Sequence, residues 1–320
     1  MTSSLWFSAS AILPIMLLAA IGYLFKRFTK ADEAFFSFLN QFVFQLALPV
    51  LVFLQLYDTD FSELSSDSAF LGFSVACMIV CYLGGMGFSA LFVRDRRKTG
   101  AFAQGMTRST FSIVGLPLAE GLFGAEGLRL AALLLPFAVI LNNVFAVLML
   151  SVFRPKERKE ATKTVLLKML KNILFNPLID AMLLAVLFHL CSIRLPDLLY
   201  QTASGFSKVA QPLALICLGA GFAKEGLRGR VRLAIFASVL KTVVLPLAFG
   251  FLAIACGYRG AYLGVLCILF GGPTTISSYV MAKNMDADEV LTGQIVLLST
   301  LMSAFTLFLL FFGLHELALV

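Results

Sequence analysis

Long apolar runs separated by short charged loops dominate this chain and leave few folds open to it. The runs fall at roughly 5–25, 33–56, 68–93, 101–120, 127–153, 172–191, 198–222, 231–256, 259–282 and 287–313. A membrane-spanning helix needs about 20 apolar residues, so ten such runs use up most of the 320 residues. Charged residues make up 13% of the chain and hydrophobic ones 60%. Soluble domains carry about a quarter and about half respectively. The pattern predicts an all-α polytopic membrane protein of ten transmembrane helices, with no room for a separate soluble domain.

The net charge of +7 suggests an acidic partner such as nucleic acid, but its placement argues for topology instead. Loops after odd-numbered runs hold 19 Lys and Arg residues; loops after even-numbered runs hold Arg129, Arg194 and Arg259. Basic loops stay on the cytoplasmic side, which predicts both termini outside. The loop 57–67 is wholly acidic, in keeping with an outer face. The first run has no basic residue before it, and Lys26, Arg27 and Lys30 follow it. It reads as a retained span and not as a cleaved signal. Cys77, Cys81, Cys191, Cys217, Cys256 and Cys267 all lie in apolar runs without a CxxC pair, and read as small buried hydrophobes with no metal role.

An offset of about 160 residues aligns the prolines of the two halves. Pro49 matches Pro212 in the second run of each half, and Pro117 matches Pro273 in the fourth. Five spans per half force opposite insertion, so the halves form an inverted repeat, a device of secondary transporters. The expected division is a first five-helix repeat over 1–153, a basic cytoplasmic linker over 154–171 and a second repeat over 172–320. Gly115-Leu116-Pro117 and Gly271-Gly272-Pro273 fall near the middle of the fourth and ninth runs. Unwound backbone at that depth persists where it lines a cavity, and two half-helix amino ends facing one locus suit an anion.

Arg108, Lys241 and Asp180 are the charges deepest in the runs. Intramembrane charge marks a pathway or a pair. Arg108 could grip a carboxylate through its planar fork, or pair with Glu120 or a carbonyl. Lys241 could be a second cationic contact or the partner of Asp180. Asn142 and Asn143 could donate to a substrate or cap a broken helix. Ser299 and Ser303 lie one turn apart, where hydroxyls commonly bond back to their own helix. No GxSxG motif, paired Asp-rich motif or set of metal ligands is present, and neither His189 nor His315 lies mid-span. No enzyme, cofactor or metal is expected.

At GMTRSTFSIVGLPLAEGLFGAEGL (105–128) and GGPTTISSYVMAKNMDADEVLTGQIVLLSTLMSAFTLF (271–308) the sequence resembles the auxin efflux carrier family, and LNQFVFQLALPVLVF and NPLIDAMLLAVL agree less specifically. Thr110 stands where the family often has Asn, and Thr275 where it often has a small apolar residue. The short fifth loop matches bacterial-type members. The resemblance implies two inverted five-helix repeats as in bile-acid symporters and sodium–proton antiporters. It implies a scaffold of helices 1, 2, 6 and 7 and a mobile transport domain of helices 3–5 and 8–10, with substrate at the crossing of broken helices 4 and 9. It further implies an elevator-type carrier of small organic anions (malate, malonate or auxin-like acids) in the inner, plasma membrane, in contact with lipid and homodimeric. A sodium- or proton-coupled organic-acid symporter of the bile-acid-symporter type is the alternative. The candidate substrate-binding set is Arg108, Thr110, Gly115, Pro117, Asn142, Asn143, Lys241, Gly272, Pro273, Thr274, Thr275 and Ser303.

Overall fold

The computed structural model describes residues 17–29, 32–58, 67–154, 175–225 and 230–320, and every regular element among them is helical. The start of the first run, most of the acidic loop and most of the basic linker lie outside the described residues. In chain order the helices are α1 (17–28), α2 (Glu33–Tyr57), α3 (Ser68–Phe92), α4 (Arg96–Thr107) and α5 (Leu116–Val152). They continue as α6 (Pro177–Leu190), α7 (Asp197–Ser207), α8 (Ala210–Glu225) and α9 (Val231–Ala255), then α10 (Gly260–Gly271), α11 (Ser277–Asn284) and α12 (Glu289–Glu316). Five of the described helices are long and apolar enough to cross a membrane: α2, α3, α5, α9 and α12. The fourth, seventh and ninth apolar runs appear instead as pairs of shorter segments.

Proline placement explains much of this shape. Leu48-Pro49, Leu116-Pro117 and Leu245-Pro246 each follow a five-residue π turn: Val43–Ala47, Phe111–Gly115 and Leu240–Val244. In each case the leucine amide donates five residues back, to Val43, Phe111 or Leu240. A proline in a regular helix loses one donor and clashes with the carbonyl four residues earlier. One widened turn just before the ring relieves that conflict while the helix continues.

The sequence placed the first break at Gly115-Leu116-Pro117, and the structure corrects this. The backbone leaves the helix at Arg108 (φ −72°, ψ 147°) and stays non-helical to Thr110, so Gly115-Leu116-Pro117 is the junction between a π turn and α5. The ninth run breaks at Gly272 as expected (φ −59°, ψ 154°). The residue before a proline is pushed to extended backbone, and Gly272 precedes Pro273. No proline forces the turn at Arg108; tertiary bonds described below hold it open. A third interruption lies at Lys208-Val209, between α7 and α8.

Gly124 reverses the chain inside α5 with φ +62° and ψ −147°. That backbone region is essentially reserved for glycine, so the expected fourth and fifth runs meet there without a loop.

The loops sort themselves to two ends. At one end Arg96 donates to the Arg154 and Val152 carbonyls, Arg154 pairs with Asp286, Arg230 pairs with Asp288, and the Asp288 amide donates to Arg97. These are the loops after the third, fifth, seventh and ninth runs. At the other end Asp67 binds Arg129 and Tyr262, Tyr200 donates to Asp58, and the Gly260 amide donates to the Leu319 carbonyl. These are the loops after even-numbered runs together with the carboxyl-terminal end.

Two large apolar cores result, with a smaller third where α4, α9 and α12 meet around Phe102, Ala237 and Ile295. One gathers α2, α6 and α8 with faces of α5 and α11, around residues such as Val52, Leu178 and Leu218. The other gathers α3, α5, α9 and α10, around Tyr82, Leu134 and Leu266. Leu135 packs against both. The cysteine expectation holds for Cys77, Cys81, Cys217 and Cys267, which are buried, but Cys191 and Cys256 are exposed at the carboxyl ends of α6 and α9. Both sit where an apolar run reaches the loops, and burial there is incomplete.

Candidate functional site at the crossing of two broken helices

The two breaks touch. The Thr110 amide donates to the Pro273 carbonyl at 2.8 Å, and the Thr274 hydroxyl donates to the Gly105 carbonyl at 2.5 Å. The Thr274 amide donates to Ser299 Oγ at 3.0 Å, so α12 also secures the second break. Gly272 lies against Ser109 so closely that a Cβ would sit 2.7 Å from its Oγ.

Asn142 on α5 supplies the bonds that the backbone at Ser109 lacks. Its Oδ1 accepts from the Ser109 amide at 3.4 Å, and its Nδ2 donates to the Ser109 carbonyl at 3.3 Å. Tyr82 fixes the amide's orientation by donating to the same Oδ1 at 2.7 Å. Buried backbone groups need such partners, and this side chain explains how the chain stays unwound without a proline.

Arg108 lies at the centre, 1% exposed. Nη2 donates to Ser277 Oγ at 3.0 Å and Asn143 Oδ1 at 3.3 Å, and Nη1 donates to Ser278 Oγ at 3.1 Å and Gln104 Oε1 at 3.4 Å. Met281 Sδ lies 3.2 Å from Nη1. Every acceptor is neutral, and the Nε–H has no partner. The suggested pair with Glu120 does not form: Glu120 is exposed, and no ion pair to Arg108 exists among the described residues. A buried cation without a counter-charge is expensive, and its planar fork is shaped for a carboxylate.

Beside Arg108 is a small, partly open cleft of about 60 Å³. Arg108, Thr110, Asn142, Asn143 and Thr275 line it. So do Ser109, Ser277, Gln55 and Gln211, which the sequence reading missed. Gln55 and Gln211 lie close to Pro49 and Pro212, but their runs hold several other polar residues, so the sequence did not single them out. Leu48, Leu51, Val52, Leu135 and Leu178 form an apolar wall. The amino ends after both breaks border the space, through Thr110 and Phe111 on one side and Ile276 and Ser277 on the other.

Gly272, Pro273, Thr274, Lys241 and Ser303 are not among the residues that line the cleft. Gly115 is buried inside its π turn, Pro117 is in the first turn of α5, and Gly272, Pro273 and Thr274 bind the two breaks together. Ser303 donates to the Thr300 carbonyl at 3.0 Å in its own helix. Lys241 is fully buried and makes no pair with Asp180, which is exposed; its ammonium contacts carbonyls instead.

Residues 7–311 match a protein family described as membrane transport protein. The chain belongs to that family, the auxin efflux carriers. An "Uncharacterized transporter" from Methanothermobacter thermautotrophicus is 28% identical over 94% of this chain and 96% of its own length. A "Putative malonate transporter" from Rhizobium meliloti is 25% identical over 92% of each chain. "Uncharacterized transporter YfdV" from Escherichia coli K12 is 20% identical over 88% of this chain and 90% of its own. In this carrier family member the described residues contain no group of metal-binding side chains.

Proposed function

We propose that the chain carries small organic anions, carboxylates of the malonate and malate class or auxin-like acids, across the membrane by alternating access. The observation that supports this most is Arg108. It is buried beside the cleft, surrounded by neutral acceptors, and lacks a carboxylate partner of its own. A substrate carboxylate entering the cleft completes the guanidinium's coordination. The amino ends at Thr110 and Ser277 add partial positive charge. The Leu48, Leu51 and Val52 wall would accommodate the carbon skeleton.

The cleft borders the two larger cores. In this reading α1, α2, α6, α7 and α8 form the scaffold, and α3–α5 and α9–α12 form a moving transport domain. Sliding of the crossing against the apolar wall exposes the site alternately to each side, as in an elevator. The basic loops face the cytoplasm, both termini face out, and the scaffold serves a homodimer in the plasma membrane.

A thermal-shift screen of the purified chain against mono-, di- and tricarboxylic acids tests binding. A ligand at 100 times its dissociation constant adds about 2.7 kcal/mol to the folded state. Uptake of the strongest binder into proteoliposomes tests transport. A saturable shift by a dicarboxylate followed by uptake is the expected outcome, and uptake by empty vesicles at the same rate would contradict it.

A further inference from the structure

Lys241 takes no part in the cleft, yet its position is specific. Its ammonium donates to the Phe270 carbonyl at 2.9 Å and reaches the Thr107 carbonyl at 3.5 Å. Thr107 is the last residue of α4, and Phe270 is next to last in α10. Those are the two half-helices that stop at the crossing. The last carbonyls of a helix have no partner within it, and each carboxyl end carries roughly half a negative charge. Two such ends therefore converge on one buried ammonium.

The local backbone delivers the side chain there. Lys241 is the second residue of the π turn Leu240–Val244, forced by Pro246. Widened turns of this kind recur at functional positions. No ion pair to Lys241 exists among the described residues, so its charge is balanced by carbonyl dipoles.

Broken membrane helices elsewhere hold sodium with this same ligand type, unwound carbonyls and half-helix carboxyl ends. We propose that the Lys241 ammonium is a tethered cation that fills such a site, so that the crossing needs no free alkali ion. Lys241 is then a positioning residue. It neutralises the two carboxyl ends while Arg108, on the cleft side, remains for the anion. This deepens the transporter reading and rests on it for its role in coupling, but the cation site itself stands on the geometry alone.

The test uses no organic anion, so its failure and the failure of the anion reading are separable. The melting midpoint of the full-length chain is measured in detergent in chloride salts of N-methylglucamine, potassium, sodium and methylammonium at equal ionic strength. The wild type is expected to melt at one temperature in all four. Lys241→Ala opens a carbonyl-lined hole; it should melt lower in N-methylglucamine and recover several degrees, saturably, with methylammonium or sodium. Lys241→Gln keeps two donors without the charge and should melt below the wild type in every salt. A wild type that needs sodium for full stability overturns the proposal, as does a Lys241→Ala protein indifferent to small cations. If Lys241→Ala yields no folded protein in any salt, Lys241→Gln decides: a melting point equal to that of the wild type overturns the proposal, and a lower one upholds it.

Discussion

Thr110 and Pro273 are joined by a backbone hydrogen bond of 2.8 Å, from the Thr110 amide to the Pro273 carbonyl. They are 163 positions apart in the chain, one in each break. A proline has no amide to offer but keeps its carbonyl, so Pro273 can meet the first break only as an acceptor. The crossing is therefore one unit, in which each unwound segment satisfies polar groups of the other.

Asn142 is expected to hold that unit together. Asn142→Ala would strand the Ser109 amide, its carbonyl and the Tyr82 hydroxyl, and an unsatisfied buried group costs about 1–3 kcal/mol. Tyr82→Phe removes one bond and should cost less. Because Tyr82 acts through Asn142 Oδ1, the double variant should be less destabilised than the two losses added together. Chemical denaturation of the four proteins in mild detergent checks this; strict additivity would mean the contact carries no energy.

Helices α1 and α8 meet backbone to backbone. A Cβ on Gly219 would lie 1.8 Å from the Ala19 carbonyl oxygen, and one on Gly22 would lie 2.1 Å from that of Ile216. Backbone atoms cannot rotate away, so Gly219→Ala should force the helices apart and cost at least the roughly 1–3 kcal/mol of an overpacked site. Gly205→Ala in α7, with nothing within 4 Å, should be neutral or slightly stabilising. Melting curves of the three proteins separate these outcomes.

The native cysteines report orientation without engineering. Cys191 and Cys256 are exposed at the carboxyl ends of α6 and α9, on the side of the Asp67–Arg129 pair. A membrane-impermeant maleimide added to intact cells should label both. A Cys introduced as Lys98→Cys in a cysteine-free background should label only after permeabilisation. The reverse pattern would place the basic loops outside.

How far the sequence could be read depended on where the information resided. Apolar runs set helix positions, because burying a long apolar stretch is a local property of composition. Pro273 announced its break, because the ring restricts Gly272 directly. At Arg108 the chain unwinds through Asn142 and the carbonyl of Pro273, partners far away in sequence, so the nearby Gly115-Pro117 drew attention instead. The same holds for Lys241: Asp180 was the sole acid at similar depth, but helix ends provide negative charge without any acidic residue. Arg108 itself was legible, because a cation deep in an apolar run has few inexpensive explanations.

Substrate recognition in this carrier turns on Arg108 as the contact for a carboxylate. Arg108→Gln and Arg108→Lys should both fold, since Ser277, Ser278 and Asn143 are neutral and need no counter-charge. Losing a buried charge partner costs about 2–5 kcal/mol, which is more than tenfold in affinity, and Lys should restore part of it because it offers a point charge without the fork. The decisive measurement is calorimetric titration of the tightest-binding carboxylate into wild type, Arg108→Lys and Arg108→Gln, each with its ligand-free melting point recorded. Affinity falling from wild type to Lys to Gln, with more than tenfold lost between wild type and Gln, is the expected result. A folded Arg108→Gln protein that binds the acid as tightly as wild type would contradict it.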